Sequence, residues 1–374
     1  MATSEPPPGS RVAAIFRTWL GRLPVLLAAV GMCGCQTAGY YRQAVAGQYQ
    51  LLIHQQPLEK LIADPATPPA LREKFQLVLK LRTFADSELH LPVNGHYRRY
   101  VDLHRRYVVW NIHAAPEFSL KPKSWWYPVV GRLTYRGYFS ERLARAYAAK
   151  LARTGLDVHV GGVEAYSTLG WFRDPVLSSF IHHDETELAG ILFHELAHQK
   201  LFVASDTDFN EAFATAVEQA AVRRWLRAKA DTAAGEAYLR ALRRDGEFVN
   251  LLLEARAELK ALYAAGTELS GEDRRQQKEQ IGERFRQRHA QLRAAWNGFS
   301  GYDHWFNHSI NNAQLNTADT YYTLLPAFAR LLQDCGGDLE KFYTAAGALA
   351  RRPKAERHRQ LATLAARADT SAGD

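Results

Sequence analysis

The chain has 374 residues, of which 47% are hydrophobic and 23% charged, with a formal net charge of +8. That balance excludes a disordered chain, and three cysteines in such a length exclude a disulfide scaffold. The basic excess lies largely in arginine-rich helical stretches, residues 221–244 and 273–293. With no nucleic-acid motif beside it, it reads as solvated helix surface, and no nucleic-acid partner is expected.

In chain order, Arg11, Arg17 and Arg22 precede an apolar run over 23–32, and Cys33-Gly34-Cys35 follows. This is the pattern of a signal segment, too short to span a bilayer as a permanent helix. Its end resembles a bacterial lipoprotein signal, in which cleavage occurs before a cysteine that follows a small residue. The resemblance implies a signal peptide over 1–34 and a lipid on Cys35; an ordinary cleaved secretory signal is the alternative. Gln36, where aspartate is absent, implies by resemblance to Gram-negative sorting an outer-membrane lipoprotein facing the periplasm, anchored to the membrane by lipid. Only Cys335 would then remain as a free thiol, so no internal disulfide can form.

Residues 40–62 and 70–88 read as helices separated by DPATPP, and 35–95 as an N-terminal helical segment. A zincin-like core is expected over 96–245. Within it YVVWNI (107–112) is the clearest strand, KSWWYPVVG (123–131) an aromatic loop or strand, and 139–154 a helix stopped by Gly155. The stretch 157–172 alternates as a strand broken or bulged at Gly161 and Gly162. Its part 163–169 is the candidate edge to which an extended peptide adds by backbone hydrogen bonds. Tyr166 and Trp171 are candidate substrate contacts there, set against the plainer role of buried aromatics.

The run DETELAGILFHELAHQ, residues 184–199, carries the chemistry. Asp184 with Glu187 forms the D-x-x-E of a capping box, and apolar residues follow at helical spacing, which predicts a helix from about 185 to 202. Residues four apart share a helix face, so His194 and His198 can present imidazole nitrogens to one metal ion. Glu195, between them, can reach a metal-bound water without ligating the ion, the position a general base requires.

A catalytic zinc needs a third protein ligand. Ser205 to Asp208 reads as a turn, and a new helix from about 209 carries Glu211 in its first turn. Locally, Asp208 capping that helix with Glu211 closing a capping box competes for the same carboxylate. Glu218 is the reserve ligand, and Asp206 and Asp208 are weaker ones.

The remainder, 246–374, reads as a C-terminal helical region. Residues 251–267 and 271–296 predict a long antiparallel hairpin whose dense mixed charge suggests a projecting arm or lid. The cluster NNAQLN (311–316), followed by Tyr321 and Tyr322, offers neutral donors for an oxyanion, against ordinary helix packing. The fold class expected is α+β, predominantly helical, with a small mixed or antiparallel sheet beside a metal-binding helix.

FHELAHQ with FNEAFA resembles the gluzincin metallopeptidases. Together with RGYF (136–139), AYSTLGWFRDP (165–175) and NNAQL (311–315), the chain looks like a bacterial family of predicted zinc aminopeptidases, often lipoproteins, over most of its length. The resemblance implies Zn2+ held by His194, His198 and Glu211, Glu195 as base, and a peptide substrate cut at its amino end. Twelve residues separate His198 from Glu211, fewer than in many gluzincins. Glu164 and Glu187 flank the site as candidates for a substrate ammonium, against solvated or capping roles. Two other readings stay open: an envelope endopeptidase, and a non-enzymatic envelope lipoprotein with a structural metal.

Overall fold

The computed structural model describes residues 35–371 apart from 129, 166, 169–171 and 266–268; the side chains of 35, 36, 318–322 and 368–371 also lie outside the description. The chain forms two compact units that divide after Ile53. Helix α1 (Cys35–Ile53) is the described part of the first.

The second unit opens with β1 (Gln56–Pro57), α2 (Leu58–Ala63) and α3 (Pro69–Ser87). The single helix expected over 40–62 is therefore two. Pro57 lies between them in an extended conformation, φ −61° and ψ 132°, and cannot supply the N–H that a continuous helix needs. β2 (Arg99–Val101) and β3 (Val109–Pro116) follow, then a hairpin of β4 (Trp125–Tyr127) and β5 (Gly131–Leu133), and then β6 (Arg136–Tyr138), α4 (Glu141–Ala152), β7 (Leu156–Val163) and β8 (Val176–Leu177).

Two three-stranded sheets result. In one, β2 pairs antiparallel with β1 and parallel with β8. In the other, β3 lies between β6 and β7, antiparallel to both, in register from Val109 opposite Val163 to Pro116 opposite Leu156. β7 runs unbroken through its two glycines. Gly162 is required because the Tyr107 ring covers it: a Cβ there would stand 2.2 Å from the ring. The edge strand expected over 163–169 does not form among its described residues; β7 ends at Val163, and the Ser179 hydroxyl donates to the Glu164 carbonyl at 2.5 Å.

The rest is helical: α5 (Glu185–Lys200), α6 (Thr207–Ala228), α7 (Thr232–Ala264), α8 (Gly271–Ala295), a 3-10 turn at Asp303–Phe306, α9 (Asn312–Tyr322), α10 (Leu325–Asp334), α11 (Leu339–Ala350) and α12 (Lys354–Ser371). The fold is α+β and predominantly helical, with small sheets. α5 begins as its sequence dictates, the Asp184 carboxylate accepting from the Glu187 N–H at 2.9 Å. It packs along α6 and buries Leu188, Leu192, Phe193 and Leu196 completely. On the opposite side of α6, Phe209 and Phe213 meet Phe328 of α10, and Phe213 stacks on Phe342 of α11 at 5.7 Å. Apolar contact of this density immobilises the two helices that carry the site.

The α7–α8 hairpin does not project as a free arm. Phe248, Leu252, Leu259, Ile281 and Phe285 form a core with Leu315 of α9. The Lys278 ammonium, almost buried, donates to Asp157 at 2.6 Å and to the Glu117 carbonyl at 3.1 Å, which ties the hairpin to the β3–β7 sheet.

Candidate metal centre

α5 and α6 lie side by side, and this brings His194, His198 and Glu211 together. One ligand atom from each falls within 4.8 Å of the others. Both imidazoles direct Nε2 at the same carboxylate oxygen: Glu211 Oε2 stands 3.4 Å from His194 and 3.6 Å from His198. Ligand atoms arranged tetrahedrally about one zinc ion at about 2.0–2.1 Å stand about 3.3 Å apart. The spacing thus suits a shared cation better than it suits hydrogen bonds, which would be shorter.

The competing local role for Glu211 does not apply. α6 begins at Thr207, so Asp208 is already inside the helix and Glu211 lies beyond the capping position. Its carboxylate turns toward α5 and away from its own N-terminus. Burial opposes its ionisation, yet the adjoining His198 and His194 hold its carboxyl well below the usual carboxylate range. His194 shifts the other way. Burial disfavours its charge, but Glu211 and Glu218 together push its pKa well up. Two carboxylates around buried imidazoles are a demand for positive charge, which a proton or a divalent ion satisfies.

Glu218, the reserve ligand, is not part of the triangle. Two turns along α6 from Glu211, its Oε2 lies 3.0 Å from Nδ1 of His194, on the other edge of the ring. Asp206 is not a ligand either. Its fully buried carboxylate receives Arg357 at 2.8 Å and His358 at 2.8 Å, and pairs with Lys354 at 3.2 Å, all from α12. The loop between the two helices is further pinned by Asn210, whose carboxamide accepts from Val203 N at 2.8 Å and donates to Val203 O at 2.9 Å. This is what the asparagine of FNEAFA does.

Glu195 points into the same space. The residue is partly exposed, but its Oε2 atom is buried and has no hydrogen-bond partner among the described residues; Nδ1 of His198 is likewise unpartnered. Burial raises the Glu195 carboxyl, while the charges of His198 and His194 oppose the rise. An ionisable oxygen left unpaired in a dry site is costly unless function retains it.

A clamp around Asp174 braces the helix that carries the histidines, and it draws on Ser167 and Asp174 of AYSTLGWFRDP and on Gln199 of FHELAHQ. The Tyr97 N–H donates to the Asp174 carbonyl at 2.7 Å, and the Asp174 N–H donates to His96 Nδ1 at 3.0 Å. Gln199, next to His198, donates to Asp174 Oδ2 at 3.2 Å and also bonds the Ser167 hydroxyl. Tyr97 is 3% exposed and sits at φ 55°, a left-handed conformation that a bulky side chain rarely adopts. Burial first, then the Glu195 and Asp174 carboxylates, push its phenol well above the ordinary range. It is therefore a neutral O–H within the electrostatic reach of Glu195.

The other expected residues fall as follows. Glu164 and Glu187 both engage His183, at 2.5 and 3.0 Å, and their carboxylates hold its pKa up against burial. Asn311 donates to the Val158 carbonyl at 3.1 Å, and Asn312 to the carbonyls of Pro116, Glu117 and Ser119 at 3.0, 2.9 and 3.3 Å, so both hold the ends of β3 and β7. Tyr166 and Trp171 lie outside the described residues. Tyr321 and Tyr322 end α9 with side chains outside the description, and Cys35 begins α1 in the same condition.

A family model described as "Putative aminopeptidase" matches residues 39–361. No curated protein and no solved structure matches the chain significantly.

Proposed function

The chain belongs to that aminopeptidase family, and on this premise we propose that it is a zinc-dependent peptidase that removes residues from the amino end of peptides. The observation that carries the proposal is the triangle of His194, His198 and Glu211, with the unpaired carboxylate oxygen of Glu195 buried beside it. Two imidazoles and one carboxylate are the donor set of a catalytic zinc site with one position left open.

When bound, the zinc ion supplies a Lewis acid for the scissile carbonyl and lowers the pKa of a water molecule. His194 and His198 hold their place through α5, and Glu211 closes the set from α6. Glu218 fixes which nitrogen of His194 is free, by accepting the proton on Nδ1. Glu195 takes up a proton at its carboxylate during attack and returns it to the leaving amine. Burial favours this traffic, because a carboxyl with a raised pKa gives and receives protons nearer neutrality.

The proposal extends to location. A signal ending at Gly34 and a lipid on Cys35 would hold the protein at the outer membrane, facing the periplasm, and the support is the leader's residue pattern. Among the described residues no helix is long and apolar enough to cross a membrane. A Cys35→Ala chain released from the membrane fraction would agree with the anchor; one that stays there would refute it.

The chemical test compares wild type, Glu195→Gln and Glu211→Ala by metal analysis and peptide cleavage. Glu195→Gln should retain the metal and lose hydrolysis, and Glu211→Ala should lose the metal. Free and N-terminally blocked peptides run side by side decide the amino-end specificity, since an aminopeptidase ignores the blocked set. Full hydrolysis by Glu195→Gln would refute the mechanism.

A further inference from the structure

A cleft of about 720 Å³ lies against the Asp174 clamp, walled by Asn94, His96, Arg98, Arg99, Phe172 and Arg173. None of its lining residues is a candidate ligand, but the clamp links the two sites. Asp174, bonded to Gln199 beside His198, follows Arg173 directly, and Tyr97, charge-coupled to Glu195, precedes Arg98.

The charge of the cleft is one-sided. Among the described residues Glu59 is its only acidic wall residue, and it meets Arg98 at 3.6 Å with both side chains more than half exposed. Such a pair contributes little. Arg99 and Arg173 have no carboxylate within ion-pair distance among the described residues. Beneath them the buried Arg82 donates from Nε to the His96 carbonyl at 2.5 Å and from Nη2 to the Asn94 carbonyl at 3.1 Å. A fourth guanidinium thus fixes the floor and adds to the positive field.

Arg173 is seated as well as charged. Its stem lies on the bare backbone of Gly95, where a Cβ would come within 2.5 Å of Cδ and 2.7 Å of Nε. Guanidinium groups lining one cleft share a positive field, and a carboxylate is the planar, bidentate partner whose geometry they match.

We propose that the cleft formed by Arg98, Arg99 and Arg173 binds a carboxylate of the peptide substrate, so that anionic peptides are preferred. This rests on the peptidase reading above and names its substrate class. The carboxylate has two possible sources, an Asp or Glu side chain or the free carboxyl terminus, and the chemistry of capture is the same.

The test uses the full-length chain and three matched peptides: a neutral amide, an amide with one internal Glu, and a neutral sequence with a free terminus. For wild type, kcat/KM for one of the two anionic peptides should exceed the neutral one by roughly tenfold or more. Which one it is identifies the source. In Arg99→Gln and Arg173→Gln that ratio should fall toward one, and Arg99→Glu should favour a peptide carrying Lys at the same place. These side chains are exposed, so the variants should fold.

In parallel, fluorescein-labelled forms of the peptides are titrated against the Glu195→Gln protein, with and without each arginine substitution, and read by anisotropy. Binding of the anionic peptide that weakens with salt and with either substitution supports the cleft even if no peptide is cut, in which case the peptidase reading alone fails. Equal binding of neutral and anionic peptides, or a ratio unchanged in the arginine variants, overturns the proposal.

Discussion

Glu218 Oε2 lies 3.0 Å from Nδ1 of His194, while Glu211 faces Nε2 of the same ring at 3.4 Å. One imidazole is thus held between two carboxylates of a single helix, seven residues apart. A proton kept on Nδ1 by Glu218 leaves the Nε2 lone pair directed at the triangle and makes it a better donor.

Glu218→Ala should therefore lower metal affinity about 10–100-fold, with full occupancy restored at saturating metal. Competition with a chromogenic chelator measures it, and an unchanged affinity would make Glu218 a bystander. Gly190 offers an independent check, since a Cβ there would stand 3.3 Å from Glu218 Oε1. Gly190→Ala gains about 0.8–1 kcal/mol of intrinsic helix propensity. It should still weaken metal binding by displacing that carboxylate.

Tyr97 is a further candidate for the neutral donor that the sequence pattern looked for around Asn311 and Tyr321. Its buried, protonated phenol lies within the field of Glu195, at a backbone angle that is itself a cost. Tyr97→Phe should lower kcat by roughly 10–1000-fold with little change in metal content. Equal loss of metal and activity would instead mean that the ring holds the wall and the hydroxyl does nothing.

The histidine pair was legible in the sequence because everything that places it is local: the Asp184 cap, the helical spacing of apolar residues, and the i, i+4 face. Glu211 was legible locally as either a third ligand or a cap, with the resemblance favouring the ligand, and what rules out its capping role is distant. α6 starts at Thr207 with Asp206 held by Arg357, 151 residues further on. The break expected at Gly161 and Gly162 was misread for a similar reason: β7 runs through both, and the Tyr107 ring, from another part of the chain, needs the bare backbone of Gly162. The hairpin's charges looked solvated until Lys278 met Asp157 on the sheet. The Asp174 clamp was not legible as a unit, since its members come from three separate stretches, of which only AYSTLGWFRDP and FHELAHQ stood out as motifs.

Loop pinning should also be measurable. The Asn210 carboxamide satisfies both backbone polar groups of Val203, so Asn210→Ala leaves both without that partner. A loss of about 1–3 kcal/mol is expected, read by urea denaturation, together with weaker metal binding because the loop joins the two ligand helices. Stability lost with metal affinity intact would show that the helices keep their spacing without the loop.

The buried cluster of Asp206 with Arg357, His358 and Lys354 should make stability depend on pH. Burial alone would raise the Asp206 carboxyl, but His358, Arg357 and Lys354 bring it from 3.8 to about 2. A carboxyl depressed on folding binds its proton more readily in the unfolded chain. Its contribution is therefore complete above the unfolded value and is lost as pH falls through about 4 toward 2. The shift corresponds to about 2 kcal/mol. Asp206→Asn should remove this acid-sensitive part of the stability and should cost more than that at neutral pH, since Arg357 would remain buried without a counter-charge, a loss of about 3–5 kcal/mol. Urea midpoints at pH 6, 4 and 3 for both proteins test this. Parallel decline of the two with acid would locate the sensitivity elsewhere, whereas a variant that is weaker at pH 6 but flatter toward pH 3 is the outcome the buried cluster requires.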